Sequence, residues 1–386
     1  MFYRFATNFF FLCVLLVLQA CSSENMQPIK VGVVLPLTGD FQIYGNAGLQ
    51  GASLAVEEIN ASGGIVGRSI ELIVKDNQTD PSLSIQHARY LIQAEKVVAL
   101  MGPVSSAARN AVLEEARAMK TPLLYGIDYE GGVYDKYLFC YSNTPDHYIT
   151  PVIPDLLKKN GKSVYIFGYD YIWPQNLAKV LTREVPKNGG KIVGKEFTPF
   201  GVTDYSKTLQ RIKDKGSKLL VLILPGKDGF EFIRQFNSFG LQGKVRILAI
   251  AADESYLNAL SGKDLEGIYT GLHYFASLDK DSSRHFVQSY QKKYGDKNIP
   301  TYSTVAHYQL IKLLATGIES AGSLDREKMI LGMENQQLVT ASGMAQSRAD
   351  HHFSLPMFIA EFTDGQLLVR KNLGIVNPPD QRTIQH

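Results

Sequence analysis

The sequence predicts an α/β protein made of two doubly wound, mostly parallel sheets, each with helices on both faces. Three observations lead there. A chain of 386 residues is longer than one ordinary hydrophobic core accommodates. From Ile29 onward, short β-branched runs alternate with segments of helical periodicity, and such alternation lays parallel strands side by side beneath covering helices. The alternation lapses after Tyr125 and restarts at Ser163, which sorts the elements into two sets.

The first set opens with a strand over residues 29–35 and a helix over 45–60, where Leu49, Ala52, Val56 and Ile59 share a face. A strand over 70–75 follows. Asp80-Pro81 then reads as an N-cap and first helical residue, starting a helix that runs to Gln93. Strands over 97–101 and 121–125 flank a helix over 106–119. In the second set, strands at 163–167, 192–197, 219–224 and 246–250 alternate with helices from Pro174, over 205–215 and over 229–239. Longer helical stretches come at 282–294 and 302–321. Two strands, 355–362 and 367–371, close the chain as a hairpin through Thr363-Asp364-Gly365-Gln366. Open sheets of this class bind ligands beyond the carboxyl ends of their strands.

Residues 1–20 read as an export signal. Arg4 precedes an apolar run over 9–18 that is too short to span a bilayer. The run ends in Leu18-Gln19-Ala20-Cys21, which resembles the lipobox of bacterial lipoproteins. Cys21 is then the lipid acceptor and residues 21–28 a polar tether; an ordinary cleaved signal with an incidental Cys21 is the alternative. Either reading gives an exported protein, and the first anchors it to the cell membrane or outer membrane, facing periplasm or exterior. Of the three cysteines, Cys13 leaves with the signal and Cys21 carries lipid, so Cys140 has no partner for an internal disulfide.

Forty Lys and Arg against 37 Asp and Glu give a net charge of only +3, with no long run of one sign. That balance argues against nucleic acid or an anionic membrane surface as partner. Gly161-Lys162-Ser163 ends like a phosphate loop, but Leu156 stands where its first glycine belongs and a strand follows. No G-x-G-x-x-G follows the first strand, and no G-x-S-x-G or H-E-x-x-H occurs. His351-His352 are adjacent on extended chain and point to opposite faces. No catalytic residue, metal or cofactor is expected, and the chain reads as a binding protein and not an enzyme.

Several segments resemble the solute-binding proteins of branched-chain amino acid ABC importers, the leucine/isoleucine/valine-binding family. They are Ile29-Lys30-Val31-Gly32-Val33-Val34-Leu35-Pro36-Leu37-Thr38-Gly39 with Tyr44-Gly45, then Ala55-Val56-Glu57-Glu58-Ile59-Asn60 with Gly63-Gly64-Ile65, and Met101-Gly102-Pro103-Val104-Ser105-Ser106. Other segments resemble the branch that binds urea and short-chain amides: Tyr129-Glu130-Gly131, Gly168-Tyr169-Asp170-Tyr171-Ile172-Trp173-Pro174 and His351-His352-Phe353-Ser354-Leu355-Pro356. Amino acid binders typically carry Ser-x-x-Ala-Thr after the fourth strand, where this chain has Tyr125-Gly126-Ile127-Asp128. The resemblance implies a type I periplasmic-binding-protein clamp with three hinge crossovers, near Pro145, Tyr274 and Ser347. Its lobes would be 29–144 plus 275–346 and 145–274 plus 347–386. It further implies a monomer that captures a small polar solute (urea, a short-chain amide or an amino acid) by hinge closure and presents it to ABC permease subunits. A membrane-anchored sensor reporting to a receptor is the alternative.

The candidate ligand residues follow from position and chemistry. Ser105 and Ser106 open a helix at a strand's carboxyl end, where unpaired amides and hydroxyls suit a ligand oxygen, or where a serine simply caps the helix. Tyr44, Tyr125, Tyr171 and Trp173 supply flat walls. Asp128 accepts ligand N–H groups or pairs with an ammonium, or else is a loop or cap residue. Glu254 stands where the family places an amine-contacting acid, at a position that also suits a helix start.

Overall fold

The computed structural model describes residues 27–384. Cys21, the signal segment and most of the tether lie outside these residues.

Strand β1 (Ile29–Leu35) is buried at every position but Lys30, as expected of a central parallel strand covered on both faces. Helix α1 (Gln42–Ala61), β2 (Ile70–Asp76), α2 (Pro81–Gln93), β3 (Ala99–Met101), α3 (Ser106–Ala118), β4 (Leu123–Tyr125) and β5 (Leu138–Cys140) complete a first unit. Its sheet has the order β2-β1-β3-β4-β5 with every pairing parallel. The expected Asp80 cap is present, its Oδ1 accepting from the N–H groups of Ser82 and Leu83 at 2.6 and 3.0 Å.

The second unit begins with the short helix α4 (Pro145–Tyr148) and α5 (Ile153–Asn160). It continues through β6 (Ser163–Tyr169), α6 (Ile172–Lys187), β7 (Lys191–Thr198), α7 (Ser206–Asp214), β8 (Leu219–Ile223), α8 (Lys227–Ser238) and β9 (Arg246–Ala249). Two single turns, α9 (Tyr256–Ala259) and α10 (Gly262–Leu265), lead to β10 (Ile268–Leu272). Pro174 falls in the first turn of α6, where a missing N–H costs nothing.

The chain then returns to the first unit as α11 (Asp281–Tyr294), α12 (Tyr302–Ala321) and α13 (Arg326–Met333). The hydroxyls of Tyr290 and Tyr294 on α11 donate to the side chain and backbone of Gln50 on α1 at 2.6 and 2.9 Å. Helix α12 lies so close to α1 that a Cβ on Gly51 would sit 2.0 Å from the Thr304 carbonyl oxygen. Last come β11 (Gln337–Thr340), β12 (Gly343–Ser347), β13 (Phe353–Thr363) and β14 (Gln366–Val376). They extend the second sheet to nine strands in the order β11-β12-β13-β10-β9-β8-β6-β7, with β14 also paired to β13. Pairings among β6 to β10 are parallel, and those of β13 are antiparallel.

The molecule therefore has two lobes: the chain leaves the first after β5, returns to it as α11 to α13 after β10, and makes its third crossing into the second sheet over β11 to β13. The third crossing is itself hydrogen-bonded: Gln346 and Ser347 pair with Ser354 and Phe353. The β11–β12 hairpin touches both sides, since Gln309 and Ser282 of the first-lobe helices donate to the carbonyls of Val339 and Ala341.

Candidate functional site

A small cavity of about 20 Å³ lies between the lobes. Most of its walls are loops that follow carboxyl ends of parallel strands: Val104 to Ser106 after β3, Ile127 and Asp128 after β4, Tyr171 and Trp173 after β6, Pro225 after β8, and Ala251 after β9. Phe41 and Tyr44 at the start of α1 and Tyr302 at the start of α12 complete it. Tyr44, Ser105, Ser106, Asp128, Tyr171 and Trp173, all expected from the sequence, thus meet in one cavity. Tyr125 and Glu254 do not line it.

Gly102, at φ +100°, carries the chain over β1, where any side chain would meet the Val34 carbonyl oxygen at 2.1 Å. The turn delivers Ser105 as the N-cap of α3, its Oγ accepting from the Ala108 N–H at 3.2 Å. Ser106 does something else. Its hydroxyl donates at 2.7 Å to Glu130 Oε2, while Glu130 Oε1 accepts from Arg109 Nη2 at 3.0 Å. Arg109 is fully buried against the rings of Tyr125 and Tyr129, its guanidinium 5.2 and 4.4 Å from their centroids. The Tyr129 hydroxyl in turn bonds the His352 ring at the third crossing.

Asp128 is fixed by one oxygen only. Its Oδ1 accepts from the side chain and backbone of Asn143 at 2.6 and 3.2 Å, while Oδ2 is buried with no partner among the described residues. Burial pushes this carboxyl up to about 8. The Tyr44 hydroxyl reaches across the cleft to donate to the Ala251 carbonyl at 2.9 Å. Trp173 Nε1 donates to the Tyr148 hydroxyl at 3.3 Å, and Tyr302 stands edge-on to Tyr44 at 6.2 Å.

The two outliers have physical explanations. Tyr125 ends a strand with its ring turned beneath the floor, and its hydroxyl donates to the Val104 carbonyl at 2.6 Å, so it props the wall from behind. Glu254 faces the second crossing. Asp253 Oδ1 caps the Ser255 N–H at 3.0 Å, and the Glu254 carboxyl instead accepts from the Ala276 N–H at 2.6 Å. Burial, and then Asp253, push Glu254 up to about 8. Sequence reasoning missed Phe41, Tyr302 and Arg109. Arg109 left a trace: it shares the buried face of α3 with Ala108, Val112, Leu113 and Ala116, an odd place for a lone cation.

Among the described residues no cluster of His, Cys, Asp and Glu could hold a metal ion. His351 and His352 have separate roles: His351 stacks on Phe139 with centroids 4.0 Å apart. Nor is any described helix long and apolar enough to cross a membrane.

The family model for periplasmic binding proteins matches residues 28–366. A Leu/Ile/Val-binding protein homolog of Brucella abortus is 27% identical over 333 residues, 84% of each chain. The fold is similar to that of a branched-chain amino acid transporter substrate binding protein of Streptococcus pneumoniae solved with isoleucine. The TM-score is 0.80 at 23% identity, over 91% of this chain and 100% of that one. It is also similar to an ABC transporter solute binding protein of Rhodopseudomonas palustris solved with p-hydroxybenzoic acid, with a TM-score of 0.82 at 24% identity, over 91% of this chain and 98% of that one. The chain belongs to the periplasmic binding protein family, and within it is similar to the Leu/Ile/Val-binding proteins.

Proposed function

We propose that this protein is the exported binding component of an ABC importer, anchored through Cys21, and that it captures a small solute rich in N–H groups. Urea or a short-chain amide fits first, and an amino acid held by its ammonium second. The lobes, 29–144 plus 275–346 and 145–274 plus 347–386, swing together over the ligand, and the closed form meets the permease. The observation that carries the ligand class is the unpartnered Asp128 Oδ2 in a cavity that no Lys, Arg or His lines.

A count of protons supports it. The hydroxyl hydrogens of Tyr44 and Ser106 are committed to Ala251 and Glu130, and the Trp173 N–H to Tyr148. Toward the cavity Tyr44 and Ser106 therefore present lone pairs, and Asp128 Oδ2 does so once its carboxyl is ionised. Such a site wants a ligand that donates, and a ligand carbonyl finds its match at the first amides of α3 and the Ser105 hydroxyl. The benzoate-type ligand of the Rhodopseudomonas neighbour would set a carboxylate beside the lone pairs of Tyr44 and Ser106, with no cation to compensate.

Calorimetric titration of residues 22–386 with urea, acetamide, leucine and p-hydroxybenzoate tests this. Heat from urea or acetamide, and none from the benzoate, is the expected result. Binding of the benzoate alone would overturn the assignment, and capture of the permease by pull-down separates import from sensing.

A further inference from the structure

We infer that Glu130 is a specificity-determining residue of this site, acting through Ser106 without lining the cavity. The inference rests on the reading of the cavity as the ligand site. A serine hydroxyl has one hydrogen and two lone pairs, so whichever group takes the hydrogen decides what the oxygen offers elsewhere. Here the taker is Glu130 Oε2 at 2.7 Å. Its other oxygen is held by Arg109 at 3.0 Å, and both side chains of that pair are almost wholly buried. The carboxylate can accept but not donate, so Ser106 Oγ faces the cavity as an acceptor.

The arrangement is rigid from behind. Arg109 donates through Nε and Nη2 to Asn110 Oδ1 at 3.2 and 2.9 Å, and its guanidinium lies against the rings of Tyr125 and Tyr129. With the guanidinium fixed, Glu130 has one way to lie and Ser106 one way to point. Replacing the carboxylate by an amide of the same shape changes one property. The Nε2 of a glutamine can donate to Ser106 Oγ, which frees the hydroxyl hydrogen to turn toward the cavity. The wall then changes from accepting to donating, and the preferred ligand from one that donates to one that accepts.

The test is a double-mutant cycle on the full mature chain, read as the ratio of Kd values for acetamide and acetate. E130Q is expected to weaken acetamide about tenfold, while acetate holds or gains, with far-UV circular dichroism unchanged. S106A is expected to weaken acetamide similarly, and E130Q in the S106A background to add less than twofold. If E130Q leaves Arg109 too exposed a charge to fold, R109M/E130Q removes both charges and carries the same test. A folded E130Q variant with an unchanged acetamide-to-acetate ratio, or additive losses in the cycle, overturns the role of Glu130 and leaves the ligand site standing. Failure of the parent protein to bind urea, acetamide, acetate or leucine would instead sink the reading of the cavity, and this inference with it.

Discussion

The hydroxyl of Tyr44, on the first lobe, donates to the carbonyl of Ala251, on the second, at 2.9 Å. Ala251 holds φ at +61°, a conformation side chains other than glycine rarely adopt, and this turns its carbonyl toward the cleft. Tyr44→Phe keeps the ring and removes the bond. A single neutral hydrogen bond contributes about 0.5–1.5 kcal/mol, so ligand affinity should fall roughly two- to tenfold, mostly through faster dissociation. Stopped-flow release measured on the variant checks this, and an unchanged off-rate would mean the bond does not hold the lobes together.

Asp128→Asn should separate binding from stability. Asparagine can keep accepting from Asn143 through its carbonyl but presents an amide hydrogen where Oδ2 now faces the cavity. Above pH 8, where the carboxyl is ionised, hydrogen bonds to a charged group contribute about 1.5–3 kcal/mol, so acetamide or urea affinity should drop about ten- to a hundredfold there and less at neutral pH. The thermal midpoint should hold or rise, because the substitution removes a buried acid. A loss of folding with retained affinity would be the opposite of this expectation.

The pH dependence of the empty protein has a definite sign. Asp128 and Glu254 are raised to about 8 and Asp253 to about 6, from ordinary values of 3.8, 4.5 and 3.8. A raised acid binds its proton more tightly when folded, so its contribution is full below its ordinary value and fades as pH climbs through the shifted one. The buried histidines oppose this lower down. His147 and His273 are lowered to about 3, and His307 and His352 to about 4, so their contribution is full above 6.5 and fades as pH falls. From pH 8 down to 6.5 the acids act alone and the thermal midpoint should rise. Below 6.5 the histidines counter it. Scanning calorimetry across pH 4–9 would show the maximum, and D128N should flatten its alkaline side.

Gly51→Val tests the contact between the helices of the first lobe. The new side chain would press on the Thr304 carbonyl, and overpacking of this kind costs about 1–3 kcal/mol. The thermal midpoint should drop by several degrees, and a neutral result would show that α12 can move away freely.

What could be read from the sequence, and what could not, divides along physical lines. Helix α12 is expected at its observed bounds, Tyr302–Ala321, because a long unbroken stretch of helix-forming, mostly apolar residues declares itself locally. Strand β5, at Leu138–Cys140, is three residues with every side chain buried and shows no period to detect. Strands β11 and β12 carry Gln, Thr and Ser, and are strands because β13 pairs with β12. In the site, residues just beyond a strand end were legible, since strand direction alone fixes where Ser105 and Asp128 go. Tyr302 was not, because its place depends on how α12 settles on α1. Tyr125 was misjudged by one turn of the pleat, which sends its ring beneath the floor.

The contact at Gly51 also bears on the order in which this chain can become structured. Helix α1 emerges early from the ribosome, yet the helix that covers Gly48 and Gly51 is written by residues 302–321. Until those residues are made, α1 can rest on β1 and β2 but its glycine face stays uncovered. Residues 51 and 304 stand far apart in the chain, so the first lobe completes its core only once α12 has joined α1.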